Sequence, residues 1–272
     1  MFMKHISSLQ NPAVKETLQL LEKSRLRKSQ GLFVAEGLNE LKMCLKAGYR
    51  FQKLFFCEHD IAAEALFEWF SPHNTEADLY AVSTEVMNKL AYRSGVKNAV
   101  AVVESKNTSG QTVGKSEIPF YLIAESVEKP GNLGALLRSA DASGTTAVIL
   151  CDPAVDIYNP NVIRSSVGCV FSVPVMAMTP QETLKFLQDN KIAVYTTFME
   201  ESVSIWNCDL KRPSAIVVGT ESTGLSDFWK SAGTNVNIPM FGNVDSLNVS
   251  AAAALMMFEM ARQRHRLGGA SE

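Results

Sequence analysis

Long hydrophobic runs are missing from this sequence of 272 residues. The longest, Ala251 to Phe258, falls far short of the roughly 20 residues that a membrane-spanning helix needs, so no helical membrane anchor is expected. The opening residues MFMKHISSLQ carry no secretory apolar core, and a cytoplasmic location is the expectation. Cysteine and histidine are scarce. Cys44, Cys57, Cys151, Cys169 and Cys208 form no Cys-x-x-Cys pair, and only His59 stands near one of them, Cys57. A disulfide scaffold and a structural zinc site are therefore not expected, and no metal is assigned.

What is present is apolar material for real cores, 46% of the chain, at a length above the usual single domain. One large unit or two smaller ones are expected. The stretch SKNTSGQTVGKSE (105–117) is polar and glycine-containing without apolar periodicity, which suits a surface linker. The boundary is placed there: a first domain over 1–106, a linker over 107–118, a second domain over 119–272. Residues 1–118 hold 15 Lys and Arg against 13 Asp and Glu, whereas 119–272 hold 11 against 15. In the first 30 residues Lys4, Lys15, Lys23, Arg25, Arg27 and Lys28 face only Glu16 and Glu22. Such a segment fits a phosphate-backbone contact and fits a solvated helix face equally well.

In the first domain Val14, Leu18 and Leu21 fall at helical spacing between Asn11 and Lys28. LFVAEG (32–37), KLFFC (53–57) and AVAVVE (99–104) read as strands, with a helix from Leu38 to Ala47. This alternation predicts a small α/β domain. In the second domain FYLIAE (120–125), TAVILC (146–151), IAVYTT (192–197), AIVVG (215–219) and VNIPM (236–240) read as strands separated by helical patterns. Continuous apolar, β-branched strands of this kind predict a parallel sheet covered on both faces. Open sheets bind ligands at the carboxyl ends of their strands, so four post-strand stretches carry the functional reading.

The first is PGNLGALLRSADASG (130–144). It contains neither Gly-x-Gly-x-x-Gly nor a Lys followed by Ser or Thr, so both nucleotide fingerprints fail in it. As a helix it has Asn132 as an eligible N-cap, a stripe of Leu133, Leu136, Leu137 and Ala140, and Gly144 as a stop. Arg138 lies off that stripe among Gly134, Ala135, Asp141 and Ala142. Alone, it fits an exposed arginine paired with Asp141, and it also fits a guanidinium held over a cleft by small neighbours. The second stretch, IYNPNVIRSSVGCVFSVPV (157–175), puts Arg164 on a helix started by Asn159 and Pro160 and ended by Gly168, where phosphate contact and plain exposure are both open. In the third, VVGTESTGLSDFW (217–229), a strand empties into Gly219, Glu221 and Gly224. Glycines there allow close backbone approach to a ligand, and Glu221 could bind a hydroxyl or orient an arginine. The fourth, IPMFGNVDSLNVSAAAALMMFEMARQRHR (238–266), reads as a helix capped by Asp245, Ser246 or Asn248. It is apolar nearly all round from Val249 to Phe258, which predicts packing against both the sheet and a second subunit.

Together, N-x-G-x-x-x-R in the first stretch, G-x-E-x-x-G in the third and I-P-M-x-G-x-x-x-S-L-N-V-S in the fourth resemble the three ordered motifs of the SpoU (TrmH) family of RNA ribose 2′-O-methyltransferases. The likeness covers 119–266. The N-terminal segment, with RKSQGLFVAEG, is similar more loosely to that family's L30e-like substrate-binding domain. The resemblance implies an α/β fold of the SPOUT kind with a C-terminal trefoil knot, which chain-connection rules alone would not predict. It implies S-adenosylmethionine as cofactor, held by Gly219, Thr220, Ile238, Met240 and Leu247. It also implies a homodimer formed through the C-terminal domain, with an active site shared between subunits.

The catalytic roles that the resemblance carries over fall on Asn132, Arg138, Glu221, Ser246 and Asn248. The family's proposals make the arginine a base for the 2′-hydroxyl, but a guanidinium resists deprotonation. Arg138 positioned by Glu221 would instead hold the adjacent phosphate and stabilise the developing alkoxide. Thr220 and Thr223 stand where other members often have Asn and Lys. Lys23, Arg25, Arg27, Lys28 and Arg164 are the candidate RNA contacts. Structured RNA is the expected partner, rRNA before tRNA. The competing expectation is a non-catalytic RNA-binding protein that keeps the fold, against which the retained site residues argue; a nicotinamide-dependent oxidoreductase is disfavoured by the missing glycine fingerprint.

Overall fold

A computed structural model describes residues 3–70, 76–91, 99–107, 116–220 and 223–265. By packing, the chain divides into two units, Met1–Lys106 with Asp156–Ser172, and Asn107–Val155 with Val173–Glu272. No helix among the described residues is long and apolar enough to cross a membrane.

The first unit runs β1 (Met3–Ile6), α1 (Pro12–Glu22), α2 (Ser24–Gln30), β2 (Leu32–Glu36), α3 (Leu38–Lys46), β3 (Phe51–Phe56), α4 (Ala63–Phe70), β4 (Asp78–Val82), α5 (Thr84–Leu90) and β5 (Ala99–Glu104). The strands form one mixed sheet in the order β1-β4-β3-β5-β2, with β5 antiparallel to both of its neighbours. The helix expected from Asn11 to Lys28 is two helices. The chain breaks at Lys23, which is extended, and the carbonyls of Leu20 and Leu21 left open at the end of α1 accept from Arg27 Nη1 at 2.7 and 3.1 Å. Asn11 caps α1 through Ala13 N, with Pro12 at the first helical position.

The second unit begins with β6 (Phe120–Glu125), α6 (Pro130–Ala142) and β7 (Ala147–Cys151). The chain then passes through α7 (Pro160–Ser165) and α8 (Cys169–Ser172), which group with the first unit rather than with the domain in which the sequence reading placed them. The reason is aromatic packing. Phe33 stacks on Tyr158 at 4.3 Å and on Phe171 at 5.8 Å, and Tyr49 meets Phe171 edge-on. The second unit resumes with β8 (Val175–Met178), α9 (Pro180–Asp189), β9 (Ala193–Thr196), β10 (Val203–Ser204), β11 (Ser214–Val218), β12 (Thr234–Asn237) and α10 (Val249–His265).

The seven strands among the described residues of this unit are all parallel, in the order β10-β12-β9-β11-β6-β7-β8. The central strands β6, β7 and β11 are buried along their whole length, as their mainly apolar sequences require. From β6 the order grows first through β7 to β8, then reverses to β9, β11 and β12 on the other side. The switch therefore lies beside β6, where open sheets of this kind form a crevice at the strand ends.

Helix α6 starts earlier than the sequence reading had it. Pro130 takes the first helical position and Lys129 is the N-cap, so Asn132 is the third helical residue and not the cap. Its far end stops as expected, with Gly144 in the left-handed region at φ 70°. Helix α10 buries Ala253, Met256, Met257 and Met260 against α6 and β11. Its other face leaves Leu255 and Phe258 about half exposed.

Candidate functional site

The carboxyl ends of β9, β11 and β12 and the segment that leads into α10 enclose a cavity of about 530 Å³ in the second unit. That size suits a drug-sized ligand. All five residues expected to hold the cofactor, Gly219, Thr220, Ile238, Met240 and Leu247, line it, and so do Ser246 and Asn248. Val218, Val236, Val249, Ala252 and Met256 give its wall an apolar character.

Gly219 is there because no side chain fits. A Cβ at that position would collide with the backbone of Gly224 and Leu225. Just beyond it the chain folds back in a tight turn. Thr220 N donates to Gly224 O at 3.1 Å, and Gly224 N donates to Thr220 O at 3.0 Å. Gly224 closes the turn at φ 70°, a backbone conformation natural to glycine. Thr220 and Thr223 hydroxyls lie 2.8 Å apart, and Thr223 N donates to Thr220 Oγ1. The two threonines that depart from the commoner pattern thus bond to each other within the turn. Glu221 lies outside the described residues.

Asn248 ends the lining segment and starts α10. Its Oδ1 accepts from Ser250 N at 3.0 Å and Ser250 Oγ at 2.6 Å, which makes it the helix cap among the three candidates. Its Nδ2 donates to Asn132 Oδ1 at 3.3 Å. Asn132 is thereby tied to the cavity wall although it does not line the cavity. Ser246 donates to the neighbouring Asp245 Oδ1 at 3.3 Å.

Arg138 is exposed on α6, and it is not among the lining residues. No described residue holds it by a hydrogen bond or ion pair, so the pairing with Asp141 open in the sequence is not made. Lys129, Thr197, Met199 and Asp245, which the sequence reading did not assign to the site, also line the cavity. Lys129 and Asp245 are its only charged residues among the described lining. The signal for Thr197 was available, since it stands at the carboxyl end of β9.

Elsewhere in this unit, Cys151 offers no nucleophile. Burial pushes its thiol up to about 12, against a smaller opposing effect of its 3.2 Å contact with Thr183 Oγ1.

The basic residues of the first unit divide. Lys23, Arg25, Lys28 and Arg164 are exposed. Arg27 is not a surface cation, which corrects the expectation that it contacts RNA. It is 4% exposed, and its Nε donates to Asp156 Oδ2 at 2.7 Å while its Nη1 takes the two carbonyls of α1. A guanidinium with five donors suits that interior role.

Residues 119–258 match the SpoU rRNA Methylase family, and residues 11–101 match the MRM3-like substrate binding domain. The chain is 26% identical over 253 residues to the 23S rRNA (uridine(2479)-2′-O)-methyltransferase of Streptomyces viridochromogenes, covering 90% of this chain and 88% of that protein. It superposes on a crystal structure of an RNA 2′-O ribose methyltransferase with TM-score 0.83 and 36% identity, over 96% of this chain and 99% of the other. The AdoMet-bound rRNA methyltransferase of Sinorhizobium meliloti gives TM-score 0.86 at 26% identity, over 96% and 98%.

Proposed function

The chain belongs to the SpoU rRNA methylase family, and on that premise we propose that it methylates a ribose 2′-hydroxyl in structured RNA, rRNA rather than tRNA, using S-adenosylmethionine. The observation that carries this reading is the cavity: the residues matched to the family's cofactor motifs converge on it from separate stretches of the chain. The trefoil knot belongs to the same proposal, as does a cytoplasmic location.

The lining fits the cofactor by its chemistry. An adenine ring needs an apolar slot and close backbone groups, which Val218, Gly219, Ile238 and Leu247 supply. The amino-acid end of the cofactor is a zwitterion, and Lys129 and Asp245 are the charged residues suited to its carboxylate and ammonium groups. When bound, S-adenosylmethionine supplies an electrophilic methyl group on its sulfonium. The protein's own part is to bring the ribose hydroxyl to it and to stabilise the negative charge that grows on the 2′-oxygen as the hydroxyl proton passes to solvent water. Asn248 and Asn132 set the wall beside that point. Arg138 acts as a hydrogen-bond donor to phosphate and to the reacting oxygen, the role that a planar guanidinium fork suits, and not as the base. The role of orienting it falls to Glu221, by the family resemblance alone.

Arg138 is exposed and stands apart from its own cavity, and Leu255 and Phe258 leave an apolar face on α10. Both observations support a homodimer through the second unit, in which Arg138 completes the partner's site. Lys23, Arg25, Lys28 and Arg164 on the first unit meet the RNA phosphates.

Mass spectrometry of nucleosides from rRNA and tRNA of cells with and without the gene tests the proposal. One 2′-O-methylated nucleoside should disappear from rRNA; unchanged ribose methylation in both RNAs sinks it, and leaves a binding-only protein.

A further inference from the structure

A buried carboxylate outside the cavity fixes the turn that shapes it. Glu125, the last residue of β6, is 5% exposed. Its Oε1 accepts from Ser226 Oγ at 2.7 Å and from Trp229 Nε1 at 2.9 Å, while its Oε2 accepts from Ser226 N at 2.8 Å. A buried carboxylate is costly unless charge-assisted bonds satisfy it, and three donors do so here. All three come from one short stretch of chain, Ser226 to Trp229, which lies 101 to 104 residues away in sequence. Trp229 itself is fully buried.

That stretch is the stem of the cavity turn. Leu225, 7% exposed, joins Ser226 to Gly224, and Gly224 is bound to Thr220 through both backbone bonds. Gly219 is pressed against Gly224 and Leu225 so closely that a Cβ has no room. Gly219, Thr220 and Gly224 line the cavity; Glu125 does not. A shift of Ser226 is therefore transmitted, through two covalent links and a close backbone contact, to the groups that face the ligand.

We infer that Glu125 is a positioning residue for cofactor binding: it anchors the outgoing limb of the 220–224 turn to β6 and so sets the backbone of Gly219, Thr220 and Gly224 at the adenosine end of the cavity. The inference rests on the cofactor reading of that cavity. It assigns Glu125 no contact with cofactor or RNA.

Glu125→Gln is the discriminating substitution because it keeps the size and changes the donor pattern. An amide presents its NH₂ either to Ser226 N–H or to Trp229 Nε1–H, so one buried donor is left without an acceptor whichever way the group turns. Calorimetry with S-adenosylhomocysteine should show binding by the wild type and binding weaker by about tenfold or more in the variant. In turnover, KM for S-adenosylmethionine should rise by a similar factor with KM for RNA unchanged, a split that general loss of structure does not produce. Absence of binding by the wild type overturns the cofactor reading and this inference with it. Wild-type binding with the variant within about twofold overturns this inference alone. If the variant does not fold, the wild type decides: the indole N–H resonance of Trp229, assigned by triple-resonance spectra, should shift on saturation with S-adenosylhomocysteine, and an unmoved resonance overturns the inference.

Discussion

Asn248 donates to Asn132 across 3.3 Å, and this bond joins the wall of the cavity to helix α6. Asn248 also caps α10 through Ser250, so one side chain links the ligand wall, the helix behind it and the helix that carries Arg138. Asn248→Ala should cost roughly 1 kcal/mol of stability, the usual worth of a helix cap, and should lower kcat/KM far more than that cost implies. Asn132→Ala keeps the cap, so methyl transfer should fall with little change in Tm. Melting curves beside turnover on RNA separate the two effects.

Arg138 is the residue whose removal should split chemistry from binding. Arg138→Ala should abolish methyl transfer and leave the affinity for S-adenosylhomocysteine within about twofold of the wild type, because Arg138 does not line the cavity. Arg138→Lys should not restore activity, since an ammonium lacks the planar fork that grips phosphate. Equal loss of binding and transfer in Arg138→Ala would show that the helix, not the guanidinium, matters.

Gly219→Ala tests the close approach at the end of β11. The added methyl meets the backbone of Gly224 and Leu225 rather than a side chain that can swing away. A penalty of about 1–3 kcal/mol is expected, shared between stability and cofactor affinity. Calorimetry with S-adenosylhomocysteine checks it, and unchanged affinity would mean that the turn adapts.

Arg27 and its exposed neighbours should behave in opposite ways. Arg27→Ala leaves the part-buried Asp156 without its cation and two carbonyls of α1 without their donor, and should destabilise the protein by about 3 kcal/mol. Replacing Lys23, Arg25 and Lys28 by Ala should leave Tm nearly unchanged. It should instead reduce the salt dependence of RNA binding, by roughly one unit of log–log slope for each phosphate that is no longer neutralised. Filter binding across a salt series reads the second effect.

The exposed apolar face of α10 gives a prediction about assembly. Leu255→Glu, or Phe258→Glu, places a charge on a side chain that is about half exposed in the single chain, so the fold should survive. Sedimentation should show a dimer for the wild type and a monomer for the variant, and the monomer should bind S-adenosylhomocysteine yet transfer no methyl group. A monomeric wild type would contradict the shared site.

The sequence disclosed most where burial is continuous. The limits of β5 and β6 were read to the residue because AVAVV and FYLIA are apolar and buried on both faces, and a glutamate ends each run. β1 was not read: it is a short edge strand in which only Ile6 is buried. β12 was expected over 236–240 but ends at Asn237, because the chain turns out of the sheet there and Ile238 and Met240 go to the cavity instead. The break at Lys23 was invisible, since the apolar spacing runs on through it and the carbonyls are satisfied by a side chain six and seven residues later. Arg27 looked like its surface neighbours for the same reason: its partner, Asp156, is 129 residues away. In the site, the motif glycines and the Ser-Leu-Asn segment were legible. Lys129 and Asp245 were not, because a single charge beside a motif has no spacing to mark it.

The most direct test of the central claim is chemical. Purified protein is incubated with rRNA and S-adenosylmethionine carrying an isotopically labelled methyl group, and the RNA is digested to nucleosides for mass spectrometry. The label should appear on the ribose of a single 2′-O-methylated nucleoside and be absent with Arg138→Ala. Label on a base, or no label in RNA from a protein that binds S-adenosylhomocysteine, would contradict that claim.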